Sequence, residues 1–361
     1  MLPRSEYEPW PPKRGSDKGL EKLKSFLDML PVRMLSLNLG IAGMGVLWST
    51  ARDYLVYEPE VWSGEWIPVW IAFANFVCVS SCCVCIGILS LFIIKMMLDW
   101  DGIRRDAQNA EYAPVFCMGS IAVFLISSQI GYFFSRDVAE FMWCLALAVH
   151  VLLITNWGWQ LAKWDITVIG PSYFVPPVGI AFAASVCHNV NTCESSTGIF
   201  YFAVCAYIIM LPLCFYRAHF VNPPLTDVQE NLYIVFADPP ALLLCVWIQT
   251  QGGSVFDPWT HILFALMCIF LVATAIRFYV KQTLCKPFLP SQAAWVFCTA
   301  IVSKAFILYF SLVAEYQDAH FHFTECVILW LLVLGASTLC GLVIYRYWHA
   351  ISSGMVFADG E

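Results

Sequence analysis

Long apolar stretches, separated by short polar segments, make up nearly the whole chain. Because a helix that crosses a bilayer needs about 20 mostly apolar residues, the pattern predicts ten membrane-spanning helices. They lie at roughly 31–50, 69–94, 114–134, 138–157, 172–188, 198–216, 230–250, 259–280, 290–312 and 326–348. We therefore expect an all-α integral membrane protein, with a ten-helix domain over 29–350 and tails over 1–28 and 351–361.

The composition narrows the class of protein further. Hydrophobic residues make up 60% of the 361 residues and charged residues only 12%, whereas soluble domains carry about 25% charged residues. A single water-soluble core does not fit this balance, and the chain has no basic segment suited to nucleic acid. It also lacks a nucleotide-binding glycine loop, a zinc-protease motif and a plausible catalytic triad. We expect no enzymatic activity, no cofactor and no resident metal.

Lysine and arginine are distributed unevenly between the predicted loops. If the N-terminus is cytoplasmic, the outer loops contain only Arg52 and Arg136, and Lys304 lies inside the ninth span. All other basic residues then fall on the cytoplasmic side, and the outer loops are acidic. This asymmetry is the positive-inside signal, and it predicts a multi-pass protein of the plasma membrane with both termini in the cytoplasm.

Glycine and proline concentrate in the odd-numbered spans, whereas the even-numbered spans are mostly uninterrupted apolar runs. Backbone groups freed at a helix break are tolerated against protein or a water-filled cavity, but not against lipid. The simplest packing is five helical hairpins, with the odd helices lining a central pore and the even helices facing lipid. The alternative is that glycine and proline are simply common in membrane helices. The helix-break positions expected at the pore are Gly40, Gly43, Pro176, Pro177, Gly179, Pro239 and Pro240.

Phe297 and Lys304 lie seven residues apart on the ninth span, so about two helical turns place both side chains on one face. A charge inside the membrane indicates a functional site by default. Asp238, on the seventh span, is a candidate partner for Lys304. If the two pair, their charges cancel and the site is structural. An unpaired Lys304 would instead attract anions to a pore, and Asp238 alone would be able to couple protons to substrate movement.

Isolated polar residues in the apolar helices have two explanations. Asn38 and Gln129 lie on presumed inner helices and are candidate pore-lining residues. A hydrogen bond between helices is the commoner role for such residues, and it remains the alternative for both.

Cysteine and histidine occur together in two predicted loops. Cys187 and Cys193 flank a short polar loop, and they can form a disulfide if that loop is extracytoplasmic. Zinc ligation that includes His188 is the weaker alternative. His320 and His322 lie in the last outer loop, where they are expected to be solvated rather than to bind metal.

Four of the odd-numbered spans carry distinctive motifs in a fixed order. These are LPVRMLSLNLGIAGMGVLW (Leu30 to Trp48), PSYFVPPVGIAFAA (Pro171 to Ala184), FADPPALLLCVW (Phe236 to Trp247) and FLPSQAAWVFCTAIVSKA (Phe288 to Ala305). They resemble the first, fifth, seventh and ninth helices of the tellurite-resistance/dicarboxylate transporter family. That family includes bacterial tellurite-resistance channels, fungal malate and sulfite carriers, and the slow-type anion channels of plant guard cells.

The resemblance implies a homotrimer in membrane lipid, in which each protomer has its own pore of five inner helices. It also implies that a phenylalanine on the ninth helix occludes the pore, and the matching position is Phe297. A ring that fills a narrow apolar pore blocks ions by excluding their hydration water. The chain departs from the family pattern at Cys298, where a proline usually follows, at Asp238, where a small residue is expected, and at Lys304.

The function that the resemblance implies is the passage of small inorganic or organic anions through this phenylalanine-gated pore. The alternative is a proton-coupled carrier for a C4-dicarboxylate such as malate, or for sulfite. Asp238 is the residue that favours the carrier, because a carboxyl group inside the membrane is able to take up a proton.

Overall fold

A computed structural model describes residues 30–55, 67–163, 165–281, 288–316 and 323–352, together with Lys24 and Leu27. Most of both predicted tails, and the loop residues His320 and His322, lie outside the described residues. Within the described ranges the regular secondary structure is entirely helical. The protein is therefore an all-α protein, as the sequence predicts.

Nine long helices organise the described part of the chain. They are α1 (Met34–Leu55), α2 (Ile67–Leu98), α3 (Ala113–Phe133), α4 (Arg136–Leu161), α5 (Cys193–Phe220), α6 (Asp238–Thr250), α7 (Pro258–Val280), α8 (Ala293–Tyr316) and α9 (Phe323–Ser352). Counted with the short turns that precede α6 and α8, they give nine spans long and apolar enough to cross a membrane in these ranges. The chain is thus a multi-pass integral membrane protein.

Short helices connect the long ones, and polar side chains cap several of the helix starts. The side chain of Asp257 accepts a hydrogen bond from the Trp259 N–H at the start of α7, and Thr226 and Gln229 form a capping box ahead of α6. Such caps satisfy N–H groups that have no partner within the helix. The connecting elements are Trp100–Gln108, Ile166–Val168, Asp227–Asn231, Leu232–Phe236 and Pro290–Gln292.

The fifth predicted span is not one continuous helix, which corrects the expectation for 172–188. Four short pieces replace it, and we refer to Pro171–Val190 as the broken segment. Pro176 and Pro177 cannot donate backbone hydrogen bonds, so a helix cannot run through them. They instead occupy the first turn of the short helix Val175–Val178, where the missing N–H groups have no helical partner in any case. The pieces are Pro171–Phe174, Val175–Val178, Ala181–Ser185 and Cys187–Val190.

The seventh predicted span has a related form. A 3-10 turn, Leu232–Phe236, leads into α6, and Pro239 and Pro240 lie in the first turn of that helix. These prolines therefore start an α-helix rather than break one in its middle. The change of helix type places Asp238 at the first position of α6, buried in the interior.

Burial separates the interrupted spans from the smooth ones. In its most apolar stretch of 18 residues, α1 is 78% buried, α3 is 78% buried, the span ending with α6 is 83% buried and the span containing α8 is 56% buried. The spans formed by α2, α4, α5, α7 and α9 are only 22–33% buried. The apolar side chains that these five expose suit contact with acyl chains.

The buried elements contact one another in a cyclic order. Helix α1 packs against α3, α3 against the broken segment, the broken segment against α6, α6 against α8, and α8 against α1. Each exposed helix packs against the buried element that precedes it: α2 on α1, α4 on α3, α5 on the broken segment, α7 on α6 and α9 on α8. A functional site is therefore expected in the interior that these five buried elements enclose.

Candidate functional site

Three cavities follow one another between the five buried elements. The Asp238 cavity, lined by Ser36, Asp238 and Cys298 among mostly apolar groups, measures about 40 Å³. The middle cavity, between Phe297 and Lys304, measures about 10 Å³. The wide cavity beyond Lys304 measures about 360 Å³. Because one water molecule needs about 10–15 Å³ by this measure, the middle cavity has no room for a hydrated ion.

All five buried elements run in the same direction along these cavities. In each of them, residue numbers rise from the Asp238 cavity toward the wide cavity. The lining positions, in that order, are Ser36, Gly43 and Ser49 on α1; Met118, Leu125 and Gln129 on α3; Gly179, Phe182 and Ser185 on the broken segment; Asp238 and Gln249 on α6; and Ala294, Phe297 and Lys304 on α8.

Two phenylalanine rings separate the Asp238 cavity from the middle cavity. Phe297 and Phe182 line both cavities, and their ring centroids lie 5.3 Å apart in an edge-to-face arrangement. Such aromatic contacts are favourable beyond the apolar area that they bury. Phe297 is only 9% exposed. The rings therefore close the line of cavities at its narrowest part.

Gly43 provides the space in which the Phe297 ring lies. A Cβ atom built on Gly43 would be 3.3 Å from Cδ2 of Phe297, closer than ordinary van der Waals contact. Gly40, one turn earlier on α1, faces the Val296 side chain on α8 instead, and its Cβ would lie 3.0 Å from Cβ and Cγ1 of that side chain. One glycine thus accommodates the ring, and the other permits the close approach of α1 to α8.

Asp238 and Lys304 do not meet, because the phenylalanine pair lies between them. Asp238 lines the Asp238 cavity, where its Oδ2 accepts a hydrogen bond from Cys298 Sγ at 2.9 Å and its buried Oδ1 has no partner in the described part of the chain. Lys304 lines the middle and wide cavities. Neither residue takes part in the ion pairs that the described residues form. The structure therefore places the two charges in separate cavities instead of pairing them.

The remaining predicted pore positions divide into two groups. Gly179 and Pro239 line the Asp238 cavity, and Gln129 lines the wide cavity. Asn38 lines none of the three cavities and is fully buried. Its backbone carbonyl oxygen accepts a hydrogen bond from Cys85 on α2. Pro176, Pro177 and Pro240 also lie outside the three linings. The Pro176 carbonyl accepts a hydrogen bond from His150 on α4.

Cys187 and Cys193 lie together at the end of the broken segment. Their sulfur atoms are in contact and their Cα atoms are 4.8 Å apart, a separation that disulfides commonly show. The His188 ring lies beside them, and the three possible ligand atoms are within 4.8 Å of one another. A structural zinc site uses four ligands, and this group of described residues offers three. The disulfide is therefore the better interpretation, and the pairing stays a prediction.

Phe182 and the ion pair of Glu230 with Arg277 were not identified from the sequence as important. Phe182 stands between alanines in the motif of the broken segment, so a bulky ring in a run of small residues was the available signal. The sequence indicated only that Arg277 is one of the basic residues of the cytoplasmic side, and the structure adds that it lies in the last turn of α7 and donates two hydrogen bonds to Glu230, at 2.7 and 2.8 Å. No spacing rule links residues 47 positions apart.

These features define a class: a multi-pass helical membrane protein whose buried, interrupted elements enclose a line of cavities closed by aromatic rings. The family model described as voltage-dependent anion channel, SLAC1, matches residues 30–334. The chain therefore belongs to the SLAC1 family of voltage-dependent anion channels, and the resemblance seen in the four motifs is confirmed. Members of this family are channels and transporters for anions rather than enzymes. No curated protein sequence matches the chain.

Proposed function

We propose that the protein is an anion channel whose pore is the line of three cavities and whose gate is Phe297. The proposed architecture is ten spans in five helical hairpins, with the broken segment as the fifth of the ten spans and the third of the five inner ones. The observation that carries the proposal is the contact between Phe297 and Phe182, which fills the passage between two cavities. Rotation of one ring, or a small tilt of α8, would join the cavities. An apolar constriction of this kind stops ions because they cannot keep their hydration shell.

The parallel course of the five inner elements supports this architecture. Because the five inner elements run parallel and contact one another in a ring, they surround one central axis. The three cavities lie along that axis in order. With the charge asymmetry of the loops, the Asp238 cavity is on the cytoplasmic side of the gate and the wide cavity is on the outer side. We further propose that both termini are cytoplasmic, that the protein resides in the plasma membrane, and that it is a homotrimer with one pore in each protomer.

The test of the proposed function is electrical. Purified protein carrying Phe297→Ala is reconstituted in planar bilayers with a tenfold gradient of potassium chloride. The equilibrium potentials of potassium and chloride then lie about 59 mV from zero, with opposite signs. We expect the reversal potential to follow the chloride gradient. A reversal potential that follows potassium, or an absence of current, would contradict an anion channel.

Phe182→Ala is expected to open the pore in part. It removes the ring against which Phe297 packs edge to face, but it leaves the Phe297 ring in the passage. The anion current should therefore lie between that of the wild type and that of Phe297→Ala, measured at equal protein density. If Phe182→Ala gives no more current than the wild type, then Phe297 closes the passage without its partner.

A proton-coupled carrier for a C4-dicarboxylate or sulfite is the second candidate. Asp238 favours it, because this buried carboxyl group lines a cavity next to the gate and its Oδ1 has no hydrogen-bond partner among the described residues. A carboxyl group in this position is able to bind and release a proton as substrate passes. The channel has no need of such a step.

Asp238→Asn separates the two candidates. In proteoliposomes, a carrier would accumulate malate against its gradient when a pH gradient is imposed, and Asp238→Asn would abolish that accumulation. A channel would show passive flux at fixed voltage with no requirement for a pH gradient. For the channel we expect Asp238→Asn to preserve or increase chloride flux, because it removes a potential negative charge from the anion path.

A further inference from the structure

The wide cavity carries a positive charge that no described residue neutralises. Lys304 is 4% exposed, and it forms no ion pair or side-chain hydrogen bond with the part of the chain that the structure describes. It borders the wide cavity, and so does one candidate counter-charge, Asp53. A buried ammonium group without a partner is costly, so its retention requires a compensating anion or water.

Asp53 is not that counter-charge, because Arg52 already neutralises it. The Arg52 Nε lies 2.7 Å from Asp53 Oδ1, and the guanidinium also donates to Asn75 and Ser49. Among the described residues, the other titratable groups that face the cavity are His188, whose Nε2 is 2.9 Å from the Gln249 carbonyl oxygen, and Tyr54. The net charge that the described residues place at the cavity wall is therefore that of Lys304.

Further hydrogen-bond donors face the same space. Gln129 is 6% exposed, and one polar atom of its amide has no partner. The oxygen and nitrogen of such an amide are assigned from the hydrogen-bond network, so its NH₂ group is free to turn toward a bound anion. Ser49 accepts a hydrogen bond from Arg52, and Ser128 accepts one from Asn189. Each serine thereby keeps its own hydroxyl proton for the cavity.

We propose that the wide cavity contains a binding site for one small monovalent inorganic anion, such as a halide or nitrate, held by Lys304 and Gln129. One uncompensated positive charge matches one negative charge, whereas a dicarboxylate would bring two. The volume of about 360 Å³ leaves room for part of the hydration shell, with the two serine hydroxyls as additional donors. Lys304 also borders the middle cavity, so the ion lies directly beyond the phenylalanine pair.

The binding itself does not depend on transport, but the role of the site in supplying ions to the gate rests on the proposed function. Two measurements therefore address the two claims separately. The first measures binding to the closed wild-type protein, and the second measures current through an opened variant.

Binding is measured as thermal stabilisation of the full-length protein in detergent. Sodium bromide replaces sodium gluconate at constant ionic strength, and an anion that binds only the folded state raises Tm as its concentration rises. We expect this rise for the wild type and for Lys304→Arg, but not for Lys304→Met. Lys304→Met removes a buried charge while keeping the length of the side chain, so the variant is expected to fold. Gln129→Leu should weaken the bromide dependence without abolishing it.

Lys95→Met is the matched control. Lys95 is also buried, at 9% exposed, but it donates a hydrogen bond to the Leu30 carbonyl oxygen and lies outside the three cavities. The control should keep the bromide dependence of Tm. If Lys95→Met loses it as fully as Lys304→Met does, or if the wild type shows none, then the proposed anion site is overturned.

The second measurement uses the Phe297→Ala background. The chloride concentration on the wide-cavity side that gives half-maximal current should rise about tenfold with Lys304→Met, the factor that corresponds to a loss of about 1.4 kcal/mol in binding. It should remain close to the parent value with Lys304→Arg. Unchanged half-saturation in Lys304→Met would overturn the role of the site in supplying ions to the gate, while the channel stands. Bromide stabilisation without any current would support the site and contradict the channel.

Discussion

Replacing Phe297 with alanine is expected to convert a closed pore into one that conducts anions continuously. The side chain is 9% exposed, and together with Phe182 it separates the Asp238 cavity from the middle cavity. Its removal is expected to join these two cavities, so that water connects the Asp238 cavity with Lys304. Since each 1.36 kcal/mol taken off a barrier raises the rate tenfold, we expect current at least about tenfold above the wild type. The measurement is chloride current in planar bilayers or oocytes, normalised to protein at the membrane.

Phe278→Ala is the matched control for Phe297→Ala. Phe278 is also 9% exposed, but it packs against Trp295 and lies outside the three cavities. Both substitutions remove a buried ring, which typically costs about 3–5 kcal/mol of stability, so a nonspecific leak would appear in both. If the two variants conduct equally, or if Phe297→Ala stays at the wild-type level, Phe297 is not the gate.

The second large effect concerns stability. Glu230→Gln is expected to lower the free energy of unfolding by about 3–5 kcal/mol, because it leaves the partly buried guanidinium of Arg277, whose side chain is 17% exposed, without its charged partner. The Glu230 side chain is 5% exposed, both of its oxygens accept from Arg277, and the guanidinium lies 4.4 Å from the centre of the Tyr233 ring. The measurement is unfolding by sodium dodecyl sulfate in mixed micelles, followed by tryptophan fluorescence.

A second ion pair in the chain supplies the control for Glu230→Gln. Arg33 contacts Glu111 at 2.9 Å and lies over the Tyr112 ring, but the Glu111 side chain is 42% exposed. Water screens such a pair, so Glu111→Gln should cost about 1 kcal/mol or less. The double variant Glu230→Gln with Arg277→Met should be less destabilised than Glu230→Gln alone, since no unpaired charge remains. Equal losses for Glu230→Gln and Glu111→Gln would show that burial does not strengthen the pair.

The inner and outer spans were predictable because their signal is local. A proline or glycine break frees backbone groups that lipid cannot satisfy, and the burial of α1, α3, α6 and α8 agrees with that argument. The same breaks made the fifth span the hardest to predict. Pro176 and Pro177 exclude a continuous helix, but the number and lengths of the short pieces between Pro171 and Val190 depend on contacts with neighbouring helices.

The side chains at the site were predictable only one helix at a time. The seven-residue spacing places Phe297 and Lys304 on one face of α8. That face borders the cavities, since both residues line the middle cavity. The relation between helices was not available from spacing. Asp238 was a candidate partner for Lys304, yet the two side chains line different cavities, and the Phe297 ring lies between those cavities.

The sequence by itself determined that this protein is an all-helical membrane protein of the SLAC1 family, and it indicated which of the described spans are buried against the others. Hydropathy, and the need of backbone groups at a helix break for hydrogen-bond partners, are properties of short segments. Both can therefore be judged from the sequence without coordinates. Only the tertiary structure decided that Phe182 meets Phe297, that Arg277 meets Glu230, and that Asp238 and Lys304 stay apart. Those contacts depend on the rotation and height of each helix against its neighbours, which the packing of all five inner elements sets together.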